Sequence, residues 1–149
     1  GESADRDSHD VAIVVIGETP YAEGMGDIRD GDDVIVQAGS QIKGLLKVLE
    51  PYGSSLSLQQ LHPEDLLTIT NITRQGIPVV AVLISGRPLL IEPELDAATA
   101  FLAAWLPGSE GQGIAQVLFG DHDFTGSLSF TWPAQEETTL FPLGYGLQY

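Results

Sequence analysis

Two glutamates and a group of aspartates follow the first apolar run of the sequence, in the segment ETPYAEGMGDIRDGDD at residues 18–33. Glu23 stands between a Pro-Tyr pair and a Gly-rich stretch, which is typical of a loop. A carboxyl group on a loop beside a cleft can act as a general acid. A single loop Glu is more often a solvated carboxylate, and the residue types alone leave both interpretations open.

The other carboxylates of this segment have simpler explanations. Glu18 directly follows the apolar run, and it can either accept hydrogen bonds from backbone N–H groups or take a catalytic role. The aspartates lack the alternate-position spacing of an EF-hand calcium loop, which favours a solvated acidic loop over a calcium site. These aspartates are Asp27, Asp30, Asp32 and Asp33.

Two later turns carry charged residues where an apolar run ends. Arg87 lies in SGRP after the second run, and we expect it to pair with a carboxylate of residues 18–33 rather than with a ligand. The sequence SEGQG at residues 109–113 resembles the anion-binding start of a helix. Glu110 would repel a phosphate there, and no G-x-G-x-x-G follows the first run, so the sequence argues against nucleotide binding.

The histidines and tryptophans give no separate site. His9, His62 and His122 are scattered along the chain and have no metal-ligand spacing. Trp105 and Trp132 are more often core residues than platforms for a sugar, although a Trp at a strand end can stack on a sugar face. The sequence therefore predicts neither a metal nor a cofactor.

Composition excludes further classes of partner. The chain has 149 residues and a net charge of -15, which opposes binding to nucleic acid or to an anionic membrane surface. It contains no Cys, so it can form neither disulfides nor thiolate metal sites. The longest apolar stretches are shorter than a membrane-spanning helix requires; they are Val11–Ile16, Ile77–Ile84 and Ala97–Leu106.

Apolar runs alternate with amphipathic segments along most of the chain. The runs predict strands at Val11–Ile16, Pro78–Ile84, Ala100–Trp105 and Ser127–Trp132. Helices are predicted at Pro63–Gln75, ended by Gly76, and at Glu110–Phe119, capped by Ser109 and ended by Gly120. We interpret residues 1–10 as a linker and residues 34–61 as an insertion of short strands and turns.

This order predicts an α/β fold. We expect a partial doubly wound (flavodoxin-like), mainly parallel sheet sandwiched by helices, with a short β-rich insertion at about 34–61. Apart from the short final run Ser127–Trp132, the sequence predicts three core strands. A complete doubly wound sheet has more, so the domain at 11–149 is expected to be incomplete at its N-terminal side. Ligands of such sheets bind beyond the carboxyl ends of the strands, where residues 18–33, 85–88 and 106–111 lie.

Four segments together resemble one known domain. VAIVVIGETPYAEGMGD, GIPVVAVLISGRPLLIEP, AFLAAWLPGSEGQGIAQVLFGDHDFTGSLSFTWP and LFPLGYGLQY are similar, in order, to the C-terminal α/β sandwich domain of glycoside hydrolase family 3. That family contains β-glucosidases and exo-acting β-glucanases. The insertion at 34–61 departs from the shorter family pattern and resembles that of bacterial exo-1,3/1,4-β-glucanases.

The resemblance implies a retaining glycosidase whose substrate is a β-glucoside or β-glucan. In the family an N-terminal TIM-barrel domain supplies the nucleophilic Asp, and the sandwich domain supplies the acid/base Glu in a pattern like PY-x-E-x-x-G. The corresponding residues here are Pro20 to Gly26, which makes Glu23 the expected acid/base. The implied partner is a TIM-barrel domain of the same protein, and the implied location is the periplasm of a bacterium or its exterior.

Two other functions are compatible with parts of the sequence. A non-catalytic α/β module that binds a sugar or a partner chain would need no barrel segment in the same reading frame. A receiver or nucleotide-binding domain would need a phosphate loop, or an acid cluster with a Lys at a strand end. Lys43 and Lys47 both lie in the insertion, which argues against the second alternative.

Overall fold

The structure is a computed structural model that describes residues 5–18, 35–36, 48–49 and 55–148. The chain divides into two compact units, one formed by residues 1–17 and 57–149 and the other by residues 18–56. The strands are β1 (Ala12–Gly17), β2 (Ile35–Val36), β3 (Val48–Leu49), β4 (Val79–Ile84), β5 (Ala100–Ala103), β6 (Trp132–Pro133) and β7 (Thr139–Phe141). The α-helices are α1 (Leu58–Leu61), α2 (Pro63–Thr73), α3 (Glu92–Ala97) and α4 (Gly111–Leu118), and two short 3-10 turns lie at Arg6–Ser8 and Gln135–Glu137.

A three-stranded parallel sheet forms the centre of the first unit. Its strand order is β1-β4-β5, and β4 pairs in parallel with both neighbours. Helix α2 contacts both β1 and β4, and it also contacts α3. The predicted α/β fold with a parallel sheet is therefore confirmed.

The apolar runs predicted the main elements of this unit within a few residues. β1, β4 and α2 lie where they were expected, and β5 ends two residues before the predicted end at Trp105. The inward-facing side of α2 carries Leu66, Ile69 and Ile72: Ile69 is fully buried, and Leu66 and Ile72 are half-buried. After α2, Gly76 has a φ of +80° and its N–H donates to the carbonyl of Thr73.

Two details of the predicted elements are wrong: the cap of α4 and the extent of the final strand. Ser109 does not cap α4: its hydroxyl donates to the Glu110 carboxylate, and the helix begins at Gly111 without a side-chain cap. The final strand is not Ser127–Trp132, because the strand that pairs with β7 is Trp132–Pro133, although Leu128 exchanges backbone hydrogen bonds with Gly144 and Tyr145. Ser109 lies one residue before the N-cap position, which Glu110 occupies. The pairing with β7 depends on a tail that has no clear strand pattern.

The second unit contains the expected β structure. β2 and β3 are antiparallel, with Ile35 opposite Leu49 and Val36 opposite Val48. The last residues of the predicted insertion do not continue this pattern. They form the single helical turn α1 in the first unit, where Ser57 accepts a hydrogen bond from the Gln60 N–H.

One face of β1 is buried and the other is exposed. Val14 and Ile16 are buried and stand in register with Ala81 and Leu83 of β4, so the four side chains share a face. Because α2 contacts β1, it must cover this face. Ile13 and Val15 point the other way, and Val15 is 65% exposed. A continuous apolar run of this kind predicts a strand buried on both faces, and that prediction is wrong for the described residues of β1.

The core of this unit includes one carboxylic acid. Glu94, in the first turn of α3, is 0% exposed, and neither of its carboxyl oxygens has a hydrogen-bond partner among the described residues. Burial raises the pKa of Glu94 above its ordinary value of 4.5, and the carboxylates of Asp65 and Glu92 raise it further. A buried, unpaired carboxylate is costly, so folding favours the protonated acid.

This burial predicts how the stability of the chain depends on pH. Because the folded-state pKa of Glu94 is raised, its contribution is fully present below about pH 4.5 and is lost as the pH rises through the folded pKa. One linked proton lowers the free energy of unfolding by about 1.4 kcal/mol per pH unit in that window. Urea unfolding at pH values from about 4.5 upward should show the free energy of unfolding falling with rising pH for the wild type, and falling less for Glu94→Gln.

Glu64→Gln is the matched control. Glu64 lies on the neighbouring helix α2 and is exposed. Its own backbone N–H lowers its pKa, so protonation of Glu64 affects stability only below the tested pH range. Its removal should leave the slope unchanged. Equal slopes for the wild type and Glu94→Gln would show that Glu94 is not the linked group.

Candidate functional site

The carboxyl ends of the three parallel strands lie at one edge of the sheet. Gly17 at the end of β1 is in register with Ile84 at the end of β4, and Leu83 is in register with Ala103 of β5. In open α/β sheets, ligands bind outside this edge. The described residues at these strand ends, together with the turns after β4 and β5, therefore define the candidate functional site.

Gly17 is required by the close approach of β1 and β4. Its φ is +151°, and a Cβ atom at this position would overlap the carbonyl oxygen of Ile84. Only glycine combines this φ with the space that is left. The run of apolar residues in β1 therefore ends at a position whose backbone geometry is fixed.

Asp65 holds the same residue from the side of α2. Its carboxylate accepts a hydrogen bond from the Gly17 N–H, with 3.1 Å between the nitrogen and Oδ2. Asp65 lies in the first turn of α2, where Pro63 starts the helix and the helix dipole favours negative charge. The carboxylate thus satisfies a backbone donor at the strand end, 48 residues away in the sequence.

Burial and polar contacts act in opposite directions on Asp65. Burial raises the pKa of Asp65 above its ordinary value of 3.8, and the Gly17 N–H opposes that rise. His62 also lowers this pKa, whereas the nearby Glu64 raises it. A hydrogen bond to a half-buried carboxylate is stronger than one between neutral groups, so this contact is a firm tie between α2 and β1.

The turn after β4 is held by its own serine. The Ser85 hydroxyl donates to the Arg87 carbonyl at 2.8 Å and accepts from the Arg87 N–H at 3.2 Å. Ser85 is only 2% exposed, and the Nη1 atom of Arg87 is also buried. Of residues 18–33, which were expected to hold the partner of Arg87, all but Glu18 lie outside the described residues, so that pairing stays a prediction.

The tryptophans belong to the packing beyond β5. Trp132 is buried and its indole N–H donates to the carbonyl of Leu89 at 2.8 Å. Trp105 contacts the rings of Phe130 and Trp132, with centroids 5.5 and 5.6 Å apart. Trp132 is therefore a core residue, as the sequence suggested.

A largely apolar cavity of about 760 Å³ lies along β5. Its aromatic lining consists of Phe101, Phe124, Trp105, Trp132, Phe141 and Tyr145. No Asp, Glu, His, Lys or Arg is among the described residues that line it. The described lining of this cavity therefore offers mainly apolar and aromatic surface.

The structure describes only some of the other residues singled out in the sequence. Glu23 and the four aspartates of residues 27–33 lie outside the described residues, and the role of Glu18 stays a prediction. His9 makes local contacts with Ser8 and Asp5. Within residues 5–18 and 55–148 no group of His, Cys, Asp and Glu is arranged to hold a metal ion.

Sequence reasoning missed the roles of Asp65 and Glu94. Both are acids in the first turn of a helix that follows a parallel strand, and that position is the one available signal. Neither the hydrogen bond of Asp65 to Gly17 nor the burial of Glu94 can be read from neighbouring residues. None of the helices in the described part of the chain has the length and hydrophobicity needed to cross a bilayer.

The chain is similar to known β-glucosidases. The chain is 32% identical to the lysosomal beta glucosidase of Dictyostelium discoideum over 160 aligned residues, which cover 95% of this chain and 16% of that protein. It is 44% identical to the periplasmic beta-glucosidase of Salmonella typhimurium over 70 residues, or 46% of this chain and 9% of that protein.

A solved structure supports the same relationship. The exo-1,3/1,4-beta-glucanase of a Pseudoalteromonas species is 40% identical, with a TM-score of 0.70, and the match covers 100% of this chain and 18% of that one. The chain thus spans less than a fifth of the length of these relatives. The family model of the glycosyl hydrolase family 3 C-terminal domain matches residues 2–149, and the chain belongs to that family.

Proposed function

We propose that this chain is the acid/base-supplying domain of a retaining β-glucosidase or exo-β-glucanase. The observation that carries the proposal is the 40% identity to an exo-1,3/1,4-beta-glucanase over the entire chain. The substrate would be a β-glucoside or β-glucan with a terminal β-D-glucosyl residue. The match to the glycosyl hydrolase family 3 C-terminal domain over residues 2–149 supports the same class of reaction.

Glu23 is the proposed general acid/base. It lies in PYAEGMG, six residues after Gly17, and so belongs to the segment that follows the carboxyl end of β1. Ligands of α/β sheets bind beyond this edge, which supports a catalytic role for the segment. In a retaining mechanism this Glu protonates the leaving oxygen first and then deprotonates the attacking water.

The nucleophile is proposed to come from outside these 149 residues. A retaining glycosidase needs a second carboxylate roughly 5–5.5 Å from the first. The resemblance to glycoside hydrolase family 3 assigns it to a TIM-barrel domain, which the length of the relatives leaves ample room for. The partner of this chain would then be a barrel domain of the same protein.

We also propose a periplasmic or secreted location in a bacterium. The support is the 44% identity to the periplasmic beta-glucosidase of Salmonella typhimurium over 70 residues. Fractionation of cells that express the full-length gene product tests this proposal independently of activity.

The purified 149-residue chain is expected to have no measurable hydrolysis of an aryl β-glucoside. An acid without its nucleophile cannot form the glycosyl–enzyme intermediate. The measurement is release of the aryl group by this chain, compared with the full-length gene product at equal concentration. Similar turnover by both would contradict the division of the catalytic carboxylates between two domains.

In the full-length gene product, Glu23→Ala should slow substrates with poor leaving groups most. Those substrates need the proton in the first step, whereas an activated aryl glucoside can still form the intermediate. Breakdown of the intermediate then limits turnover, and azide should restore it by replacing the activated water. Turnover of activated and unactivated β-glucosides, with and without azide, measures both effects.

Glu18→Ala and Asp27→Ala are the controls in that assay, because both remove a carboxylate from the same segment. Neither variant should show azide rescue. Equal losses on both substrates for Glu23→Ala, without an azide effect, would move the acid/base role to another carboxylate. Rescue at Glu18 instead would show that the family pattern was aligned wrongly.

A further inference from the structure

We propose that Asp65 is a positioning residue for the acid/base: by holding Gly17, it fixes the point at which the chain leaves β1 toward Glu23. The inference rests on the proposed function, because it concerns the reaction in which Glu23 takes part. Its structural basis lies entirely in the first unit, in the contact between α2 and the end of β1.

The end of β1 is constrained from two sides. The Gly17 N–H donates to the Asp65 carboxylate at 3.1 Å. On the side of β4, the carbonyl of Ile84 lies so close that no Cβ atom fits at residue 17. The contact with β4 only excludes a side chain at residue 17. The Asp65 carboxylate attracts the N–H of Gly17 and so fixes its direction.

Asp65 can fix this N–H because its own position is rigid. It projects from the first turn of α2, and α2 contacts β1, β4 and α3. Ile69, one turn further along α2, is fully buried. A short carboxylate side chain on a helix anchored in this way has little freedom to move, and a precise site requires such rigid support.

The constraint matters for catalysis because of where it lies in the sequence. Glu23 follows Gly17 by six residues, so the conformation of the chain at Gly17 sets the start of the segment that carries it. A displacement of about 1 Å in a reacting group can cost about a hundredfold in rate. Loss of the Asp65 contact should therefore affect proton transfer while leaving sugar binding intact.

Two substitutions in the full-length gene product separate the acceptor from the charge. Asp65→Ala removes the acceptor of the Gly17 N–H, whereas Asp65→Asn keeps an oxygen at the same distance and loses the charge. We expect Asp65→Ala to lower kcat on an unactivated β-glucoside by about tenfold or more. Its KM should change little, its loss on an activated aryl glucoside should be clearly smaller, and Asp65→Asn should recover most of the rate.

Glu64→Ala is the matched control, because Glu64 is the adjacent residue of the same helical turn and is exposed. It should leave kcat on both substrates unchanged. If Asp65→Ala does not fold, Asp65→Glu replaces it: the longer side chain pushes the acceptor out of place, and the same substrate-dependent loss is expected. Thermal unfolding of each variant shows which of them are folded.

The outcomes distinguish this inference from the proposed function. Glu23→Gln is measured in the same assay, and a rate equal to the wild type would refute the role of Glu23 itself. If Glu23→Gln shows the leaving-group effect but the Asp65 variants equal the wild type, only the positioning role is overturned. It is also overturned if the Asp65 variants lose equal activity on both substrates, because a merely structural role predicts a uniform loss.

Discussion

The close pairing of β1 with β4 at their carboxyl ends is the constraint on which this domain depends. Residue 17 must be glycine because the Ile84 carbonyl occupies the space of a Cβ atom. The N–H of that glycine is then satisfied by a carboxylate from α2 rather than by another strand. The sheet, helix α2 and the start of the proposed catalytic segment are therefore joined at Gly17.

Some acidic side chains of this domain form stabilising hydrogen bonds, and one is buried at an energetic cost. Asp65 binds the end of β1, and Glu92 accepts a hydrogen bond from the Gln135 N–H at 2.6 Å, which ties α3 to the C-terminal segment. Glu94 lies between these ties without a partner among the described residues. Burial raises the pKa of both Asp65 and Glu94, so the same arrangement that fixes the strand ends makes folding more favourable at lower pH.

The sequence predicts the parts of this structure that arise from local patterns. The continuous apolar runs predict β1 and β4, and the amphipathic segment around Ile69 predicts α2. The six-residue helix α3 is too short to show a helical period, and it was not predicted. The Asp65–Gly17 hydrogen bond joins residues 48 positions apart, so it depends on the tertiary structure alone. Glu23 was found by resemblance to a family, since a lone loop carboxylate carries no local signal of its role.

The most direct test of the proposed acid/base role is the pH dependence of kcat/KM in the full-length gene product. A retaining enzyme with Glu23 as its acid should give a bell-shaped profile whose basic limb reports deprotonation of that group. In Glu23→Gln the side chain no longer titrates, so the basic limb should disappear while the acidic limb, due to the nucleophile, remains. A bell-shaped profile with the same basic limb in Glu23→Gln would contradict the assignment.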